Sequence, residues 1–442
     1  MKPQIGAIIG TVILMCFATT SAKALNIHKI VSNKGIVAWF VADKSVPLVA
    51  MSFGFRGVGS ATDPDGREGL AQMVSLLLDE GAGAQTSQEY QNAVEDIAAR
   101  MSFDVGRDHF MGRLRTLRST RKKAFGLLRL ALTRPRFDLA PVNRIRSQIL
   151  ASLRRQAEKP EQILMKVWAE TVFKGHPYAK PKTGTKETVS AITRADLRSY
   201  VSHSFTRERL VVGVVGDISE FELKKRLDQV FGDLPARGTS LVVPETVATV
   251  TGRTIVVRKP IPQSVMVFGH KGLKRDDPDW YAAALVTRIF GGGNLNSRLY
   301  EEIREKRGLA YSVYAYLNPM QHSALLVGGV ATQNARAIES LGLIRAEWKK
   351  MGEYGVTQTE LDDAKSYLNG VFPLRFGSSL AIADLLVGMQ ISKLGRNYIS
   401  IRPSLISSVT LQMANRVARQ LYKARDITVV IVGDPQKFQK SP

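Results

Sequence analysis

Residues 210–217 read LVVGVVGD, and residues 427–434 read ITVVIVGD. Each is a short β-branched run closed by Gly-Asp, and Gly216 and Gly433 stand 217 residues apart. Runs of Val and Ile this short, ended by a turn signal, read as buried strands. The same offset continues upstream, where Ile192-Thr193 matches Val409-Thr410 and Phe205 matches Tyr422. Each copy reads as a helix start, an amphipathic helix, a turn and a buried strand. An offset shared over so long a span divides the chain into two homologous halves.

The 442 residues, 44% of them hydrophobic, suffice for more than one core. Pro and Gly punctuation from Pro235 to Pro244 marks a connection. The halves are placed at residues 25–236 and 248–442, with a linker over 237–247. In the first half, strands are expected at Ile36–Val41, Leu48–Phe55 and Met101–Val105, and helices at Gly69–Leu78, Ser87–Ala99, Thr116–Leu132 and Val142–Ala157. In the second, strands are expected at Thr254–Arg258, Ser264–Lys271, Tyr311–Leu317 and Leu325–Ala331. Helices are expected there at Trp280–Phe290, Ser297–Arg304, Ala335–Gly352 and Thr359–Asn369. The expected fold class is α+β, a mostly antiparallel sheet packed against long helices, made twice.

The first 24 residues have the form of a secretory signal peptide. Lys2 supplies a positive start, Ile5 to Ala18 an apolar stretch, and Ala22-Lys23-Ala24 a small-residue cleavage site. The expected location is therefore outside the cytoplasm, in a periplasm. Cys16 is the chain's one cysteine and lies inside that segment, so the mature chain is expected to have no disulfide, thiolate metal site or cysteine nucleophile. The formal net charge is +23. Between Arg113 and Arg155 there are thirteen Lys or Arg and one acid, Asp138. Such a run is either a set of solvated helix faces or a docking surface for an anionic membrane face, an acidic partner or an acidic substrate. Nucleic acid is not expected, because the patch has few aromatics on which bases could stack.

Residues 66–81 read GREGLAQMVSLLLDEG, and Gln72, Ser75, Leu76 and Asp79 share one helix face. A zinc helix needs two imidazoles one turn apart and a carboxylate between them. None of these positions is His, and Leu cannot bind zinc. The six His (28, 109, 176, 203, 270 and 322) include no pair at ligand spacing. Asp79-Glu80 reads as an acidic pair at a helix end. GGGN at 291–294 lacks the Lys-Ser/Thr of a phosphate loop, and no G-x-S-x-G elbow is present. No metal and no cofactor are expected in this chain.

Residues 297–316 read SRLYEEIREKRGLAYSVYAY. A helix from Ser297 stopped by Gly308, and a strand opened by Tyr311, put Arg304 and Tyr311 near one corner. A guanidinium fork and a phenol suit a backbone carbonyl and a developing oxyanion. The plain alternative is an Arg salt bridge beside a core Tyr.

This segment closely resembles the second-half motif of the pitrilysin-type (inverzincin) peptidases, a family that includes insulysin and mitochondrial processing peptidase. The half-length repeat, the GREGLAQ helix, Phe173-Lys-Gly-His-Pro-Tyr, Gly184-Thr-Lys-Glu and both Gly-Asp strand ends extend the resemblance over the mature chain. The family's H-x-x-E-H motif falls on Gln72, Ser75 and Leu76, and its distal Glu near Ser152, so all four zinc positions are substituted. Its Arg-Tyr pair falls on Arg304 and Tyr311 with matching spacing. The resemblance implies a zinc-free subunit of a heterodimeric metallopeptidase. Arg304 would hold a substrate carbonyl, Tyr311 would stabilise the tetrahedral intermediate, and a homologous H-x-x-E-H partner would carry the zinc. Substrates would be short or unfolded peptides. A non-catalytic scaffold or peptide-binding protein of the same fold is the alternative. A self-sufficient peptidase would need ligands that the sequence lacks.

Overall fold

The computed structural model describes residues 25–239, 242–292, 296–436 and 438. The expected leader lies outside them, as does part of the GGGN stretch. The chain opens with β1 (His28–Val31), β2 (Val37–Ala42) and β3 (Leu48–Arg56), then α1 (Leu70–Ser75) and α2 (Ser87–Glu95). A hairpin of β4 (Arg100–Val105) and β5 (His109–Leu117) leads to α3 (Arg121–Thr133), α4 (Leu139–Ala157) and α5 (Pro160–Val172). Next come α6 (Lys186–Ala191), α7 (Arg194–Ser204), β6 (Leu210–Gly216) and α8 (Glu220–Phe231). The second set begins with β7 (Thr254–Arg258), β8 (Gln263–Lys271), α9 (Trp280–Phe290) and a π-helical turn (Tyr300–Glu305). It continues with β9 (Ala310–Pro319), β10 (Ala324–Gln333), α10 (Ala337–Tyr354) and α11 (Gln358–Gly370). It closes with α12 (Ser379–Ile391), α13 (Tyr398–Ser407), α14 (Leu411–Leu421) and β11 (Thr428–Gly433).

The fold is α+β. One sheet has the order β1-β2-β6-β3-β5-β4, the other β7-β11-β8-β10-β9. Apart from the extra strand β1, the two orders are equivalent. In each, only one neighbouring pair is parallel: β2 with β6, and β7 with β11.

The repeat has a physical cause at every matched position. Thr193 and Thr410 are the N-caps of α7 and α14, accepting from the amides of Asp196 and Met413 at 3.2 Å each. Phe205 and Tyr422 close those helices and are buried. Gly216 and Gly433 have φ of +143° and +153°, where a side chain is strained. A Cβ on Gly216 would also lie 2.3 Å from the Leu48 carbonyl oxygen, and one on Gly433 would lie 2.5 Å from Ser264 Oγ.

Each sheet buries one face under helices of its own half and the other under a helix from the opposite half. α12 packs on β6 and β3, while α5 packs on β11 and β8. Glycines make the close approach possible. A Cβ on Gly213 of β6 would meet the Ala383 carbonyl oxygen at 2.5 Å, and one on Gly269 of β8 would meet the Trp168 ring at 3.0 Å. α12 is apolar around most of its circumference because it is enclosed: Ile382, Ala383, Leu386, Val387 and Met389 are buried. Among the described residues, no single helix is long and apolar enough to cross a membrane.

The tips of the hairpins β4–β5 and β9–β10 meet. Tyr178 Oη donates to Asp108 Oδ1 at 2.6 Å and accepts from the His322 amide at 3.0 Å. The Gln321 amide donates to Asp108 Oδ2 at 3.1 Å. His176 holds the Pro244 carbonyl through Nε2 at 2.9 Å, which accounts for His-Pro-Tyr in the sequence.

Several expectations need correction. Thr116 does not start a helix: residues 109–117 are a strand, and α3 starts at Arg121. Phe110, Gly112, Leu114 and Thr116 alternate into the buried face, and this period of two outweighs helix propensity. The helix expected over Gly69–Leu78 is regular only from Leu70 to Ser75. The one expected over Ser297–Arg304 is wound as a π-helix from Tyr300 to Glu305.

Candidate functional site

The π-helical turn explains the SRLYEEIREKRGLAY motif residue by residue. Leu299 and Ile303 face the core, and Arg298 is fixed by a two-pronged bond to Glu360 at 2.7 and 2.8 Å. Glu302 gathers Lys306 and Arg307, each at 2.6 Å. The Lys306 amide reaches the Glu301 carbonyl five residues back at 2.9 Å, the wide bond of a π-turn. Gly308, at φ +58°, ends the turn, and its amide donates to the Arg304 carbonyl at 2.9 Å.

Arg304 and Tyr311 lie against each other. The Arg304 guanidinium carbon is 4.7 Å from the Tyr311 ring centre and 4.8 Å from that of Tyr300, so the cation meets two aromatic faces. No carboxylate pairs with it among the described residues. Tyr311 is 83% exposed. The plain alternative of a salt-bridged Arg beside a core Tyr therefore does not describe this corner.

A β-bulge sets the exposure of Tyr311. Val330 pairs with Val313 and Thr332 with Ala310, so Tyr311 and Ser312 together oppose Ala331. Ala310 and Val313, three residues apart, can then both face the core. Tyr311 and Ser312 are left outside. Tyr314 and Tyr316 follow on the outer face, their rings 6.0 Å apart and nearly parallel. Gly329 makes room for Tyr314, whose hydroxyl would be 2.7 Å from a Cβ there. Tyr300 and the bulge were not picked out from the sequence. The i, i+4 spacing of Tyr300 and Arg304 was the available signal.

The zinc-helix positions form a different surface. Gln72 and Ser75 satisfy each other: Ser75 Oγ donates to the Gln72 carbonyl at 2.8 Å, and Gln72 Nε2 donates to Ser75 Oγ at 3.4 Å. Leu76 is 38% exposed. α4, which carries Ser152, packs against α1, and Ser152 Oγ accepts from Gln156 Nε2 at 2.8 Å. These side chains do not fit a zinc ion. Among the described residues, no group of three or more His, Cys, Asp or Glu is placed to hold a metal. Burial raises the Asp79 carboxyl above its ordinary range, and Glu80 is tied to Arg144 of α4 at 2.5 Å.

The loop before α1 is built on its glycines. Gly69 has φ +95° and lies against the Thr183 carbonyl, while Gly184 at φ +74° lies against that of Glu68. Asp63 accepts from the amides of Gly69 and Ala71 at 2.8 and 2.9 Å, which caps the helix. Of the thirteen cations between Arg113 and Arg155, six are ion-paired among the described residues: Arg113, Arg118, Arg121, Arg129, Arg136 and Arg144.

Known proteins resemble this chain along most of its length. The family model described as insulinase (peptidase family M16) matches residues 54–186, and that described as peptidase M16 inactive domain matches residues 191–368. A non-peptidase homolog of Helicobacter pylori, YmxG, is 26% identical over 431 residues, covering 97% of this chain and 98% of its own length. An uncharacterized zinc protease of Mycobacterium leprae is 28% identical over 380 residues, 84% of this chain and 83% of its own. The crystal structure of a peptidase M16 inactive domain from Pseudomonas fluorescens superposes with a TM-score of 0.85 at 25% identity, covering 95% of this chain and 100% of that one. Taken with the substituted zinc positions, these matches place the chain in the M16, pitrilysin-type peptidase family as a zinc-less member.

Proposed function

We propose that this chain is the exported, zinc-free subunit of a two-chain zinc peptidase. A homologous partner bearing H-x-x-E-H supplies the metal and its general base. This chain supplies Arg304 to hold a substrate carbonyl and Tyr311 to donate to the oxygen that becomes negative. The observation that carries the reading is the corner itself: a guanidinium over the rings of Tyr300 and Tyr311 with no paired carboxylate among the described residues, and a phenol turned outward by a bulge. A structural Arg-Tyr pair would be expected to be buried or salt-bridged. Here both groups are oriented in advance and still free to bind, as an oxyanion site requires. Substrates are short or unfolded peptides.

The test is peptide cleavage by each subunit alone and by the mixture. Tyr311→Phe is expected to lower kcat of the mixed complex by about 10²–10³-fold, the usual loss of one oxyanion donor, with assembly intact. An unchanged kcat sinks the catalytic role. The second reading, a non-catalytic scaffold or peptide-binding protein, is favoured by the "non-peptidase homolog" and "inactive domain" names of the relatives. Absence of cleavage in every mixture with an H-x-x-E-H relative would support it.

A further inference from the structure

We propose that the open face of the first sheet beside α12 takes an extended acidic peptide, whose carboxylates are met by Arg100, Arg115 and Arg113. The inference deepens the peptide-handling reading above and rests on it. Arg100 and Arg115 are directly opposite each other on β4 and β5, and both are exposed. Side chains so placed are about 5 Å apart at Cβ, and like charges there are destabilising. Neither makes an ion pair or side-chain hydrogen bond among the described residues. Arg113 points to the same face two residues along β5, partly neutralised by Asp384 of α12 at 2.9 and 3.0 Å. One acid, Asp104, shares that face of β4, and Lys182 lies 3.9 Å from it.

The fold does not require these arginines. The equivalent face of the second sheet, on β9 and β10, carries Tyr314 and Tyr316 with Val327 and Gly329 opposite. The cationic pair is therefore a property of this one face, and opposite charge is what would relieve it.

Geometry selects an extended chain over a flat anionic surface. α12 covers β3 and β6 on this side and stands about 10 Å above the sheet. The arginines lie on the floor of the step beside it, where a bilayer is held off and a strand can lie. Among the described residues β4 is the last strand of the sheet and pairs only with β5, which leaves its outer edge open to a strand. An added strand would present alternate side chains to this face.

The test is fluorescence anisotropy with the full chain and three labelled peptides of equal length, rich in Asp/Glu, in Lys, or in Ser/Gly. The acidic peptide is expected to bind tightest and to weaken with added salt. R100Q/R115Q should weaken it by about threefold to tenfold. R100E/R115E should reverse the preference towards the Lys peptide. The melting temperature of R100Q/R115Q should be unchanged or higher, because a like-charge pair is removed. A drop in melting temperature would show the pair to be structural and overturn the proposal. Equal binding of the three peptides overturns the acidic preference while leaving the Tyr311 assay to stand or fall by itself. Binding to phosphatidylserine vesicles that is lost in R100E/R115E, without peptide binding, overturns it in favour of a membrane.

Discussion

Gly216 shows how much one residue can hold. Its φ of +143° strains any side chain, and the Leu48 carbonyl leaves no room for one. Gly216→Ala is expected to cost about 1–3 kcal/mol of stability, read from the urea midpoint. Gly433→Ala, at the equivalent position, should behave alike. His109 acts through charge. Burial holds its imidazole below the ordinary range, Arg56 and His322 push the same way, and Asp108 opposes them. Among the described residues its buried Nδ1 has no hydrogen-bond partner. The folded state thus takes up a proton less readily than the unfolded chain, whose His titrates near ~6.5. Its contribution to stability is full above that value and is lost as pH falls below it. His109→Gln should flatten the fall in urea midpoint between pH ~7 and ~5; an unaltered slope would assign the effect to other groups.

At the scale of elements, the π-helical turn and the bulge of β9 do one job between them. The wide turn sets Arg304 over the Tyr300 ring, and the bulge brings the Tyr311 ring to the same guanidinium without losing Ala310 or Val313 from the core. α5 and α12 have the corresponding role for stability. Trp168 of α5 is 2% exposed and seated against Gly269 of the opposite half's sheet. Trp168→Ala is expected to cost about 3–5 kcal/mol, measured by denaturant unfolding. Because α5 touches both halves, the loss should appear in one cooperative transition; two separate transitions would show the halves to be independent.

For the whole molecule, the helix exchange means that neither half covers both faces of its own sheet. Residues 25–239 expressed alone would lack α12 and leave the apolar face of β3 and β6 open. That fragment is expected to self-associate, and co-expression with the remainder of the chain should restore a single soluble species on size-exclusion chromatography. A monodisperse, cooperatively folding fragment would contradict this. The positive charge, +23 overall, is spread in the same uneven way. Among the described residues six of the cations in 113–155 are tied into ion pairs, while Arg115 of that stretch and Arg100 before it face each other unpaired on an open sheet.

The sequence by itself determined the repeat, the α+β class, the empty zinc-helix positions and the Arg304–Tyr311 motif. All of these are written in local patterns: strand runs closed by Gly-Asp, Thr caps, a missing pair of imidazoles, and a helix stop before a strand. Strand β5 was hidden although its alternation was present, because Arg and Leu between Arg113 and Leu132 suit a helix as well. Only the tertiary structure decided the exchange of α5 and α12, the bulge that turns Tyr311 outward, and the meeting of Arg100 with Arg115. Each depends on register and packing between residues far apart in the chain. Such contacts are fixed by which faces must be buried together, and a single stretch of sequence carries no record of its partner.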